Sequence, residues 1–389
     1  MLNRRSFLRS SSLLALSSTV PLFVARSLRA APVDKDGRVL VIVELDGGND
    51  ALNTIVPHAD DQYARLRPRL KLDPKRLVKL TDTVGLHPSL LPLEKLYEAG
   101  NLAVIPGVGY PNPNRSHFES MAIWHTAQFD KEGLRGYGWL GRAMDPSAGN
   151  LFAVGNEVPK ALRGRRSSAV AFKRIEEVLL SDPASAKASL GSNSSDDLLA
   201  YVQRQEVEAL SAAEKLARLS RNKTGAIYPR SELAERLKLV ARLLKADVGS
   251  RVFYTQQNGF DTHSRQATTH SNLLGEFAEA VAAFFVDLKE SRLADRVTLM
   301  AFSEFGRTIK ENASVGTDHG TAGACFVAGP TVAGGVVGTM PSLIDLEFGE
   351  PKMTNGFRGL YAALLANWMC LPTDDAIGNV PRPAIFRSY

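Results

Sequence analysis

Four short stretches gather carboxylates and imidazoles at close spacing. NGFDTHSRQ (258–266) holds Asp261 and His263 beside a glycine, and GTDHG (316–320) joins Asp318 to His319. SEFGRT (303–308) carries Ser303, Glu304 and Arg307, and DGGND (46–50) sets Asp46 and Asp50 around a glycine pair. Oxygen and nitrogen donors of this kind suit zinc, manganese, iron, calcium or magnesium. Hydrolytic metal sites use such mixed sets to bind a phosphoryl-type oxygen and activate a nucleophile. Each stretch also has a plain structural explanation. A loop aspartate caps a turn or helix, Asp318 and His319 form a surface pair, and Glu304 and Arg307 are spaced for one ion pair.

The elements that must carry these residues read as alternating strands and helices. RVLVIVEL (38–45) is a buried strand, NLAVIPGVG (101–109) a second strand and turn, and RVFYTQQ (251–257), RVTLMAF (296–302) and GACFVAG (323–329) three more. SHFESMAIWHTAQ (116–128) reads as a helix with Ser116 at its N-cap and Glu119 at capping-box spacing. Further helices are expected at 87–100, 194–220, 228–247, 271–291 and 356–372. The pattern predicts an α/β fold, a mostly parallel sheet with helices on both faces. In such a sheet ligands bind beyond the carboxyl ends of the strands. Asp46, Asp50, Asp261, His263, Ser303, Glu304 and Arg307 all follow strands, while Asp318 and His319 lie in the loop before one.

The start of the chain has a different character. A basic beginning with Arg4 and Arg5, a moderately apolar stretch at 12–25 and the small residues of SLRAAP form the three parts of an export signal. Arg-Arg-Ser-Phe-Leu matches the twin-arginine pattern, which makes the twin-arginine translocation machinery a partner and the periplasm or exterior the destination. The apolar part is too short for a membrane span, so no stable span is expected. Of the formal charge of +6, five units are arginines of residues 1–30. The remainder is nearly neutral, and the basic pI is no argument for nucleic acid. A signal at 1–30 and one domain at 31–389 with a helical insertion around 160–250 are expected. The two cysteines, Cys325 and Cys370, sit in apolar stretches and read as buried thiols.

LDGGNDALNTIVP, NRSHFES, GFDTHSRQ, SEFGRT and GTDHGTA together resemble the domain-of-unknown-function family 1501, from about residue 36 to the C-terminus. That family has exported, often twin-arginine members and is grouped with the alkaline phosphatase-like superfamily. The resemblance implies an alkaline phosphatase-like sheet and a carboxylate after the first strand, for which Asp46 and Asp50 compete. It implies Asp261, His263, Glu304 and His319 as further ligands of a divalent metal (zinc, manganese, calcium or magnesium). A nucleophile at a helix N-terminus after an early strand would be Ser116, where helix N–H groups favour an anion. His117 is the reserve for acid–base work, and Arg115 or Arg307 would hold substrate oxygens. The usual adjacent Asp-His pair after a late strand is here Ser303-Glu304, which puts the second metal in doubt.

The expectation is an exported, metal-dependent, hydrolase-like protein acting on an anionic phosphate or sulfate ester. The rival is a non-catalytic exported protein with the same fold. Nucleotide binding through DGGND has no accompanying G-x-G-x-x-G or G-K-[ST].

Overall fold

The computed structural model describes residues 37–147, 150–174 and 225–387. The expected export signal and the helix expected at 194–220 lie outside the described residues.

One mixed sheet organises the chain. In chain order its strands are β1 (Val39–Leu45), β2 (Leu102–Gly109), β3 (Asn150–Val154), β4 (Ser168–Phe172), β5 (Val252–Gln257), β6 (Val297–Phe302), β7 (Gly323–Ala328), β8 (Gly335–Val336) and β9 (Asn355–Gly356). Their spatial order is β8-β2-β7-β6-β1-β5-β3-β4, with β9 also paired to β2. β1 lies between β5 and β6 and is parallel to both, Ile42 facing Tyr254 on one side and Met300 on the other. Among the described strands of this sheet only β7 is antiparallel to its neighbours, β6 and β2. The expected α/β architecture is therefore present, with one reversed strand inside it. β4 is an edge strand at 168–172, within the segment read from the sequence as a helical layer.

β1 is apolar at almost every position because the sheet is covered on both faces. Val39, Val41, Val43 and Leu45 enter one core, shared with Glu232–Lys245 and Gln266–Glu290. Leu40 and Ile42 enter the other, shared with His117–Thr126 and Phe357–Ala363. In chain order these helices are α1 (His117–Thr126), α2 (Glu232–Lys245), α3 (Gln266–Glu290) and α4 (Phe357–Ala363). α1 is held by Trp124, which stacks on Phe302 of β6 at 4.8 Å and on Phe357 of α4 at 4.5 Å. α2 starts at Ser231, whose hydroxyl accepts from the Ala234 N–H. α3 begins five residues before the start expected from the sequence, at Gln266, because Arg265 turns the chain in a left-handed conformation.

Below the loops on the site side lies a buried polar knot. Asp50 caps the short helix Ala51–Thr54 through the Asn53 N–H and takes Arg67 at 2.6 Å, both side chains being fully buried. Burial opposes ionisation of Asp50, but the Arg67 charge and hydrogen bond hold its carboxyl below the usual range. Arg67 also donates to the carbonyls of Thr308 and Ile309. His270 sits beside this pair, 2.9 Å from Asn49 Oδ1, and burial pushes its pKa down to about 3. His87 caps its own turn through the Ser89 N–H and is pushed down to about 4 by burial.

Both histidines are neutral in the fold and take protons on unfolding below pH 6.5. Their contribution is full above that pH and is lost as pH falls toward 4 and 3. Each should steepen the stability loss by about 1.4 kcal/mol per pH unit. Urea unfolding of His270→Gln between pH 6 and 4 should show a slope shallower by that amount; an unchanged slope contradicts the neutral assignment.

Candidate metal centre

β1, β5 and β6 end side by side, so the segments after Leu45, Gln257 and Phe302 share one edge. Because β7 is reversed, the segment before it reaches the same edge. This brings His319 to Asp261 although one precedes its strand and the other follows. α1 adds His117 from the helix after β2.

The donors crowd together. His319 Nε2 is 3.0 Å from His117 Nε2 and 3.0 Å from His263 Nε2. Asp261 Oδ1 is 2.9 Å from His263 Nε2, 3.3 Å from His319 Nε2 and 3.6 Å from His117 Nε2. His117, Asp261 and His319 form a group able to hold a metal ion, with His263 against it.

The other ring nitrogens decide the tautomers. His117 Nδ1 is 2.6 Å from Glu304 Oε1, His263 Nδ1 is 2.9 Å from Asp318 Oδ1, and His319 Nδ1 is 2.8 Å from the Arg115 carbonyl oxygen. A carboxylate or carbonyl only accepts, so each Nδ1 carries the hydrogen. All three Nε2 atoms then present lone pairs to one another and to a carboxylate. Such a cluster needs a shared cation or an added proton. The donor set and its outer partners are those of a metal-binding histidine group.

Arg307 ties the loops beneath. It donates to the carbonyls of Gly47, Gly48 (2.6 Å), Phe260 (3.1 Å) and Thr317 (3.2 Å), and to Asp261 Oδ1 at 2.6 Å. Burial opposes ionisation of Asp261, but the Arg307 hydrogen bond and charge keep its carboxyl low. The hydrogen bond to Glu304 outweighs burial and raises the His117 pKa. Glu304 is itself fixed: its backbone carbonyl accepts from Ser120 Oγ (2.6 Å) and Trp124 Nε1 (2.7 Å), and its carboxylate from the Gly47 N–H (3.1 Å).

The structure thus brings Asp261, His263 and His319 together. Several sequence expectations need correction. Asp50 does not reach the group; after the Gly47-Gly48 turn the chain folds back, and its carboxylate is consumed by Arg67, Gln266 and the Asn53 N–H. The Gly47 and Gly48 carbonyls accept from Arg307. Arg307 is buried and spent on protein acceptors, so it is not a substrate clamp, and it makes no ion pair with Glu304. Glu304 meets the site through His117 and does not join the donor group itself. Ser116 occupies the N-cap position of α1, but its hydroxyl makes no capping bond, so the capping box is not formed. Cys325 is buried and free, whereas Cys370 is exposed.

Asp46 stays at the edge of the site. Burial, with Glu304 and Glu44 beside it, pushes its pKa up to about 6. Two further features go beyond the sequence reading. His117, the reserve for acid–base work, lies with the metal donors, a place that the register of α1 determines. Buried Glu44 lies 2.8 Å from His125 and also takes the Tyr254 hydroxyl.

Residues 38–352 match the family described as a protein of unknown function, DUF1501. The chain belongs to the DUF1501 family. No curated protein matches this DUF1501 chain. Among solved structures it is similar to a sulfatase, PsFucS1, from Pseudoalteromonas sp. (9% identity, 95% of this chain and 77% of the other, TM-score 0.41). It is also similar to the C-terminal periplasmic domain of EcEptC from Escherichia coli, in complex with zinc (10%, 76% and 74%, TM-score 0.39). A third is a protein in the alkaline phosphatase superfamily from Vibrio parahaemolyticus (12%, 93% and 77%, TM-score 0.37). At these scores nothing about activity follows, and the DUF1501 site stands on its own residues. Among the described residues no helix is long and apolar enough to cross a membrane.

Removing an outer partner should loosen a metal without removing a donor. Asp318→Ala should lower zinc affinity by roughly 10- to 100-fold, the usual loss when the carboxylate that orients an imidazole is removed. Competition against a chromophoric chelator would read this; unchanged affinity would remove Asp318 from the site.

Proposed function

We propose that this DUF1501 protein is an exported metal-dependent hydrolase acting on a phosphate or sulfate ester. The carrying observation is the hydrogen-bonding of all three imidazoles through Nδ1, which leaves three Nε2 lone pairs beside Asp261 Oδ1. His117, Asp261 and His319 would hold the ion, with His263 adjoining. This imidazole-rich set favours zinc or a similar transition metal over calcium or magnesium. When bound, the ion would supply Lewis acidity toward an ester oxygen and lower the pKa of a nearby hydroxyl.

The chain's own groups would do the rest. Ser116, its exposed hydroxyl standing at the N-terminus of α1 beside His117, would bond to the phosphorus or sulfur of the ester as the bond to the alcohol oxygen breaks and the alcohol leaves. The free N–H groups of the first turn would favour the anionic substrate group. Asp46, with its pKa near 6, would take up a proton at its carboxylate. Glu304, Asp318 and the Arg115 carbonyl would keep the imidazoles in one tautomer. The side chains of Asp261 and His263 are 46% and 45% exposed, and an open side supports catalysis over a closed structural site. The twin-arginine pattern at Arg4 and Arg5 supports export to the periplasm or exterior, with residues 31–389 as the exported domain.

Protein purified without chelator should contain stoichiometric metal, and His319→Ala should lose it. Ser116→Ala should keep the metal yet lower turnover of p-nitrophenyl phosphate or sulfate by on the order of 10³-fold. Metal-loaded protein inactive on both esters overturns the hydrolase reading; full activity in Ser116→Ala overturns the nucleophile.

A further inference from the structure

A strongly charged surface lies away from the donor group. In the stretches 130–137 and 156–167 six basic residues meet three acidic ones, although the chain beyond residue 30 is nearly neutral. The fold brings the two stretches together. Lys160 Nζ donates to the Leu134 carbonyl, the Gly138 N–H donates to the Arg163 carbonyl (2.9 Å or less, at 2.8 Å), and the Arg165 guanidinium lies 6.0 Å from the centre of the Tyr137 ring. Asp145 accepts from the N–H groups of Arg165, Arg166 and Ser167 at 2.9, 2.7 and 2.7 Å. Its carboxylate shapes the loop and pairs with no guanidinium.

Lys131, Arg135, Arg163, Arg165 and Arg166 are all exposed. Among the described residues none of the five pairs with a carboxylate, and the side chains of Lys131, Arg135 and Arg166 make no hydrogen bond. Arg163 reaches only the Val158 carbonyl, at 3.4 Å. Like charges gathered in this way repel one another, and the fold makes little use of their donors, in contrast to those of Arg67 and Arg307.

Placement decides the partner. β4 starts at Ser168, in register with Asn150 at the start of β3, so Arg165 and Arg166 stand at the edge where the parallel strands begin. The donor group stands where β1, β5 and β6 end. An ester held there lies a strand's length from these cations, which leaves them no part in holding it. The cations come from two segments of one surface, with Tyr137 exposed among them. Basic groups attract anionic headgroups, and tyrosine suits the boundary between headgroup and water. We propose that this patch docks the protein on an anionic phospholipid surface, with the metal centre turned away from the bilayer. The docking requires neither metal nor turnover and stands apart from the hydrolase reading.

The test uses the chain from residue 31 onward, which keeps every described element and lacks five arginines that would seek the same surface. It is sedimented with vesicles of equal parts phosphatidylcholine and phosphatidylglycerol, and with phosphatidylcholine alone. Binding should occur on the anionic vesicles only and fade at molar salt, where the screening length falls to about 3 Å. The triple variant Arg163→Gln, Arg165→Gln, Arg166→Gln should weaken it by about 100-fold, near fivefold per cation, and should melt with the parent. Lys131→Gln with Arg135→Gln, on the other stretch, should weaken it by about 25-fold on the same scale. Lys71→Gln, Lys75→Gln and Lys79→Gln together, which remove as much charge elsewhere, should leave it unchanged. No preference for anionic vesicles, parental binding in either patch variant, or an equal loss in the lysine variant overturns the proposal. Retention on heparin without vesicle binding also overturns it, by making the partner a soluble polyanion.

Discussion

The buried guanidinium of Arg307 is the constraint on which the site edge depends. A desolvated cation is costly unless its donors are matched, and here four carbonyls and the Asp261 carboxylate match them. Those acceptors come from the segments after β1 and β5 and from the loop before β7, so satisfying one side chain sets three loops against each other. The fit leaves no room for a side chain at the glycine pair of the first loop. A Cβ on Gly47 would lie 2.5 Å from the Asp261 nitrogen, and one on Gly48 2.3 Å from the Phe305 ring. The glycines therefore serve the approach of protein to protein.

The reversed strand β7 is the second determinant. In a wholly parallel sheet the loop before a strand lies at the edge opposite the loops that follow strands. With β7 antiparallel to β2 and β6, Asp318 and His319 come to the edge occupied by Asp261 and Glu304. The Arg307–His319 bridge between the two arms then closes the loop on itself. Position at a strand end was legible; strand direction was not, because GACFVAG has the same composition in either orientation.

Much of the fold could be read from pattern. The nearly unbroken apolar run of β1 required two covered faces, and the period of 228–247 required a half-buried helix. The site was legible in type and less so in role. Asp261, His263 and His319 declared themselves by chemistry and neighbouring glycines. Asp50 had the same credentials, and only Arg67, seventeen positions on, removes it to the core. Nothing local marks that partnership, since RLRPRL offers three arginines and the fold selects one. His117 and His125 lie on the same helix and are equally plain in sequence. One meets Glu304 and the donor group, the other meets Glu44, and the difference is which strand end each faces.

Preorganisation follows from how these parts divide the work. The loops are held by Arg307, Arg67 and the Trp124 stack, none of which requires an ion. The imidazoles are held at Nδ1 by Glu304, Asp318 and the Arg115 carbonyl, again without one. The four inward donors are thus oriented by contacts made elsewhere, and the frame fixes the place that a shared cation or an added proton would take. That is the arrangement in which fixed groups act most strongly on charge, because the reorganisation was completed in folding.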